Sequence, residues 1–312
     1  MNRKTKFGLR IPAFPLNKSR KEIFRDEIFT FLEKLQGKYD SLWVADHFIP
    51  WFEPQDPMTD TLECWTTLAF LAGKFKTYHI GSIVMSQSYR NPALLAKMGA
   101  TLQTLTGGRF ILGVGAGCKA DEYLAYGYGF PSTATRIHQM GEAVQIIKSL
   151  WTEPKTTFHG KYYQVEDAIC EPKPDPIPPV LIGGGGKKIT LRYVAQYADW
   201  WNFPGGTPEN YADLLTVLRN HCDEVERDYD SITKTWAIEC VAVGDPEEVA
   251  SITKSNPLCD PNTAIVGTPD QVEEQLRKFT DMGVEHFILR FADFPDTESA
   301  ERFASDVAPR FS

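Results

Sequence analysis

The chain has 312 residues, with 33 Lys+Arg against 41 Asp+Glu and a formal net charge of −8. Hydrophobic content of 42% and charged content of 24% exclude a disordered chain. A pI near 5.4 excludes a general nucleic-acid binder, which needs a basic face. The six cysteines (64, 118, 170, 222, 240, 259) form no C-x-x-C pair, and the six histidines form no H-E-x-x-H, so buried thiols and no metal are expected. The N-terminal MNRKTKFGLRIPAFP is broken by Arg10 and two prolines and does not read as a signal peptide. No run of about 18 apolar residues occurs. A soluble, cytoplasmic protein without membrane contact is predicted.

Along the chain, short apolar runs alternate with amphipathic stretches. KFGLRI (6–11) reads as a first strand, and Ser19 to Glu22 as a capping box for a helix with Phe24, Ile28, Phe31 and Leu35 inward. SLWVA (41–45) is a second strand; Asp60 to Glu63 then reads as a cap for a helix carrying Trp65, Ala69 and Ala72. TYHIGSIVM (77–85) is a third strand, and Asn91-Pro92 opens the next helix. RFILGVG (109–115) is a fourth, followed by the stripe Ile137, Met140, Val144, Ile147, Trp151. A small hairpin near His159-Gly160 and a proline-rich stretch then interrupt the pattern. PVLIG (179–183), DWWNF (199–203), TWAIECVAVG (235–244) and HFILRF (286–291) supply strands five to eight. Helices are expected from near Lys187, after Thr207-Pro208, and after the capping box Thr268 to Gln271, with a loop at 255–267. Eight strands, each followed by a helix and without a flexible linker, predict one (β/α)₈ TIM barrel over 1–312 with insertions in the βα loops. A doubly wound open sheet is the alternative.

In such a barrel the active site lies where strands end. The second strand ends in Asp46-His47-Phe48-Ile49-Pro50-Trp51, which offers a proton-transfer group, a hydrogen-bond partner and a ring surface. The fourth ends in Gly113-Val114-Gly115-Ala116-Gly117-Cys118, which fails the G-x-G-x-x-G dinucleotide fingerprint but allows close backbone approach to a flat ligand, or tight packing of strand and loop. The fifth ends in Gly183 to Gly186 before a helix, an anion site of backbone amides, with Lys187, Lys188 and Arg192 adding a local positive field. A Walker A loop is excluded by Leu181 and Lys188. Gly81 and Ser82 inside the third strand suggest a bulge or a close backbone approach. Cys118 reads as space-filling rather than as a reactive thiol.

These segments, above all SLWVADHF, the stretch from Ile80 through TLTGGRFILGVGAG, and PPVLIGGGGKKITLRYVAQYADWWN, resemble the luciferase-like monooxygenase superfamily over nearly the whole chain, and within it the coenzyme F420-dependent oxidoreductases. The resemblance implies a barrel mouth that holds a deazaflavin, or FMN in the alternative. It implies cofactor contacts at Asp46, Ser82, Ile83, Ala116, Gly117, Cys118 and Gly183, Gly184, Gly185 and Gly186, with a non-proline cis peptide aligned with Ser82-Ile83. His47 and Trp51 are the implied catalytic residues: His47 carries the proton, and Trp51 matches the sugar-phosphate dehydrogenase branch. That branch carries Glu where this chain has Cys118, and its substrate-phosphate pocket has no counterpart at Pro204-Gly205-Gly206. The function implied is hydride transfer between F420 and a small organic substrate, by a homodimer. The alternatives are an FMN-dependent monooxygenase fed by a flavin reductase, and a non-catalytic flavin-binding relative. The loops at 48–60, 119–131 and 255–267 are expected to shape the substrate pocket, with Phe48, Trp51 and Phe52 favouring a hydrophobic molecule.

Overall fold

The computed structural model describes residues 4–15, 21–51, 56, 58–260 and 263–311. The chain runs β1 (Lys6–Arg10), α1 (Lys21–Leu35), β2 (Ser41–Val44), α2 (Cys64–Lys74), β3 (His79–Ser82), a two-residue β4 (Met85–Ser86), α3 (Pro92–Thr106) and β5 (Phe110–Gly115). It continues through α4 (Ala120–Ala125), α5 (Thr133–Thr152), β6 (Thr156–His159), β7 (Gln164–Ala168), β8 (Val180–Gly183), α6 (Thr190–Tyr197) and β9 (Trp200–Pro204). The last third holds α7 (Pro208–Glu224), β10 (Thr233–Ala242), α8 (Pro246–Ser255), β11 (Ala264–Gly267), α9 (Pro269–Thr280), β12 (Val284–Phe291) and α10 (Glu298–Arg302). Parallel neighbours follow β10–β12–β1–β2–β3–β5–β8–β9, and β9 pairs back onto β10, so eight strands close a (β/α)₈ barrel. Among the described residues, no helix is long and apolar enough to cross a membrane.

The barrel interior is filled by Trp43, Ile111, Leu181, Ala237 and Ile288, one inward side chain from each of five strands. Trp43 explains the small residue in the third strand: a Cβ on Gly81 would come within 2.5 Å of the indole. Outward residues such as Leu42, Val44, Ile80, Leu112, Val180, Ile182 and Leu289 pack under the helices. At the base a second cavity of 210 Å³ opens beside Lys6, Ser41, His79 and His286, at the opposite end from the strand C-termini.

Several local expectations are corrected. Glu63 is itself the N-cap of α2, accepting from the Trp65 and Thr66 amides, because the helix begins at Cys64 and Asp60 lies too far upstream of its first turn. Ser19 lies outside the described residues, as does Phe52. The glycine loop leads through a turn, so α6 starts at Thr190 rather than near Lys187. The stretch 255–267 is not all loop. The first half of β10 pairs with β9 and its second half with β11, so the short run Ala264–Gly267 gains a strand partner from a tertiary edge invisible to local periodicity. The cis peptide falls at Ile83–Val84, one bond beyond Ser82–Ile83. Regular pairing persists to Ile83, whose amide donates to the Val44 carbonyl at 2.9 Å.

Candidate active site

A 560 Å³ cleft opens at the C-terminal ends of the strands. Asp46, His47, Trp51, Ile83, Ala116, Gly117, Cys118 and Gly183 to Gly186 all line it. Ser82 does not. It is fully buried, donates to the Gly113 carbonyl at 2.7 Å and accepts from the Gly113 amide at 3.2 Å, so it ties β3 to β5. Val84 takes its place on the cleft wall.

Asp46 is buried and its carboxylate is engaged by the protein. Arg90 grips both oxygens, at 2.8 and 3.0 Å, and the Ser86 amide donates at 3.0 Å. Burial pushes the Asp46 carboxyl up, and the Arg90 guanidinium pulls it back. Burial disfavours the charge on Arg90 too, but Asp46 outweighs it and holds the guanidinium charged. Arg90 also reaches Glu63, so the β2, β4 and α2 ends are knotted together beneath the cleft.

His47 is oriented by a residue that local sequence reasoning missed. Glu122, on α4, is fully buried, and its two oxygens face four donors. One accepts the backbone amides of Phe48 and Ile49, at 2.5 and 3.1 Å. The other meets the Tyr89 hydroxyl at 2.6 Å and His47 Nδ1 at 3.0 Å. Burial alone would raise the Glu122 carboxyl, but the bonds from His47 and Tyr89 hold it below its ordinary value. An ionised carboxylate can only accept, so Nδ1 carries the hydrogen and Nε2 is the nitrogen left to exchange a proton with the cleft. Trp51 stacks on the imidazole at 4.7 Å between centroids, and Phe14 packs edge-on to the indole at 4.7 Å. The signal for Glu122 was weak: Asp121 and Glu122 stand side by side in the stretch after the fourth strand, and only the fold turns one inward.

The glycines divide into two kinds. A Cβ on Gly113 would strike the Ser82 carbonyl, one on Gly115 would meet Val84 at 2.6 Å, and one on Gly185 would meet Phe203 at 2.6 Å. These positions are small because the protein packs against itself, not to admit a ligand. Gly184 differs: at φ +123° only Thr190 lies nearby, at 3.4 Å. Among the described residues, the amides of Gly185 and Gly186 have no protein acceptor, and α6 begins without a side-chain cap. That donor set suits a phosphate. The expected positive field is smaller than the sequence suggests. Lys187 pairs with Asp213 at 2.5 Å, and neither it nor Lys188 or Arg192 lines the cleft. Cys118 is exposed on the cleft wall, unlike the other five cysteines, so the expectation of a buried, space-filling thiol fails there; partial desolvation, and then the nearby Glu122 charge, still raise the thiol, which argues against an activated nucleophile.

Residues 27–256 match the luciferase-like monooxygenase family. The F420-dependent glucose-6-phosphate dehydrogenase of Kineococcus radiotolerans is 29% identical, over 86% of this chain and 88% of that protein. Among solved structures, an F420-dependent secondary alcohol dehydrogenase bound to an F420-acetone adduct superposes with a TM-score of 0.83 at 21% identity, covering 99% of both chains. EDTA monooxygenase from Chelativorans sp. BNC1 superposes with a TM-score of 0.82 at 17% identity, covering 99% of this chain and 93% of that one. Both structural likenesses speak to the barrel fold.

Proposed function

Because the chain belongs to the luciferase-like monooxygenase family, we propose that it is a coenzyme F420-dependent oxidoreductase moving a hydride between the deazaflavin and a small organic substrate. The observation that carries this reading is the Glu122–His47 pair, which holds the imidazole by Nδ1 beside Trp51 in the mouth of the barrel and, among the described residues, leaves Nε2 without a protein partner. The name of the Kineococcus relative supports the deazaflavin.

The cleft fits such a group. The Gly185 and Gly186 amides and the uncapped start of α6 would hold its phosphate, while Ile83, Val84 and the Ala116–Cys118 backbone would flank its ring. When bound, the deazaflavin supplies the hydride carrier. The remaining chemistry falls to the protein. Interconversion of a carbonyl and a carbinol changes the charge on oxygen, so a proton must arrive or leave there. His47 Nε2 is placed to hold that proton, and Glu122 fixes the tautomer and stabilises the imidazolium formed when His47 takes it. Asp46 is a positioning residue, through Arg90 and Ser86. Trp51 shields the imidazole from water. Titrating the purified protein with F420 and with FMN, following fluorescence, tests the reading. F420 is expected to bind at least tenfold more tightly. Binding of FMN alone would instead favour reduced-flavin oxygen chemistry on the same barrel.

A further inference from the structure

We propose that Arg10 is the substrate-recognition residue of this cleft, and that the substrate carries a carboxylate close to the carbonyl or carbinol that reacts; this rests on the oxidoreductase reading above. Arg10 closes β1, and its side chain, 15% exposed, lines the cleft with His47 and Trp51. Its guanidinium carbon lies 5.5 Å from the centre of the Trp51 ring, which itself stacks on His47. A group seated on Arg10 therefore sits one indole away from the proton-carrying imidazole.

The surroundings leave this guanidinium short of an acceptor. Glu239 of β10 faces two arginines. Its Oε2 is held by Nε of Arg290, from β12, at 2.5 Å, whereas Arg10 Nη1 reaches Oε1 only at 3.6 Å. Among the described residues that is the one ion pair of Arg10, and its buried Nε has no hydrogen-bond partner. Burial and then repulsion by Arg290 push Arg10 down to about 10, which Glu239 only partly offsets. Nε itself is closed to the cleft, so an incoming oxyanion would be met by the terminal nitrogens of the guanidinium, whose one ion-pair contact among the described residues is the 3.6 Å approach to Glu239. Among the described residues, no other carboxylate lining the cleft is available to serve it. Asp46 is gripped by Arg90, and Glu122 already receives four donors. The planar fork suits a two-oxygen partner, which favours a carboxylate over a point contact.

The test is calorimetric titration of the protein, free and saturated with F420, with pyruvate, acetoacetate and levulinate against acetone, butanone and pentanone as uncharged counterparts, and with inorganic phosphate. At least one oxo acid is expected to bind tenfold or more tightly than its neutral counterpart. Arg10→Gln should erase that difference and Arg10→Lys retain part of it, with F420 affinity unchanged within twofold. The wild-type comparison stands even if a variant folds poorly. The proposal is overturned if no oxo acid outbinds its ketone, or if selectivity survives in folded Arg10→Gln. Tighter binding of phosphate than of every oxo acid overturns the carboxylate assignment. Failure of F420 to bind refutes only the deazaflavin reading, because anion selectivity is also read on the free protein.

Discussion

Replacing Glu122 with Gln exchanges one acceptor oxygen for an NH₂ group and leaves the shape intact. The Phe48 and Ile49 amides cannot turn, so the remaining oxygen must face them, and the NH₂ is forced toward Tyr89 and His47. The tyrosine hydroxyl can rotate to accept. The imidazole can accept at Nδ1 only by moving its hydrogen to Nε2, which removes the free acceptor from the cleft. All four bonds to a charged group, worth about 1.5–3 kcal/mol each, become neutral bonds of about 0.5–1.5 kcal/mol, so stability should fall by up to about 4–6 kcal/mol, less what the neutral amide saves in desolvation. Turnover should fall by about 10²–10⁴-fold. The pH dependence has a definite sign. Glu122 is held below its ordinary 4.5, so its contribution is present above that pH and is lost as pH falls through the lower folded value. The share of the stability gap between wild type and Glu122→Gln that comes from the Glu122 charge should therefore narrow in acid, as the carboxylate takes a proton. Nitrogen-15 NMR of neutral His47 reads the tautomer without a substrate, and urea unfolding across pH reads the gap. A variant whose His47 still carries its hydrogen on Nδ1 would refute the reasoning.

Three further outcomes follow from the packing. Ser82→Ala removes both bonds to Gly113 and should cost about 1–3 kcal/mol in urea unfolding while leaving F420 affinity within twofold; a large affinity loss would return Ser82 to the cofactor wall. Gly185→Ala should destabilise by about 1–3 kcal/mol through its clash with Phe203, and Gly184→Ala by a similar amount through backbone strain rather than crowding. Thermal unfolding of the two variants checks this, and wild-type melting in both would show that the loop yields. His286 is driven down to about 3, first by burial and then by Lys6 and His79. A proton therefore binds the unfolded chain better, and stability is full above about pH 6.5 and falls by about 1.4 kcal/mol per pH unit below it. Unfolding at pH 7 and pH 5 should differ by about 2 kcal/mol from this group, and His286→Gln should abolish that share; an unchanged difference in the variant would assign it elsewhere.

The barrel was legible because its strands and most of its helices carry local signals: Asn91 and Thr207 cap where their sequences say they should, and the Thr268–Gln271 box forms. The cleft was legible wherever position at a strand end sufficed, as for Asp46, His47 and the glycine loop. Reading failed where a side chain's direction depends on a partner far away. Ser82 points inward because Gly113 lies across from it, 31 residues later, and Glu122 is 75 residues from the histidine it orients. Arg10 looked like a mere break in an apolar run, because its neighbours Glu239 and Arg290 come from the last two strands of the barrel wall.

The placement of Glu122 also joins two parts of the proposed chemistry that could have been independent. The chain leaves β5 along the cleft at Ala116–Cys118 and enters α4 two residues later, where Glu122 turns in beneath His47. The next residue, Tyr123, bonds Ser86 Oγ, and a Cβ on Gly117 would strike the Tyr123 hydroxyl, so this crossing is packed tightly against β4. α4 is only six residues long, so the cleft-lining backbone at 116–118 runs almost directly into Glu122. Glu122 in turn makes four bonds that fix both the Phe48–Ile49 backbone and the imidazole. In the proposed reading, the segment that meets the cofactor ring also sets the hydrogen position on His47. In that reading, binding energy gained at the ring is available to orient the proton-transfer residue, which is where it can act on the reaction rather than on binding alone.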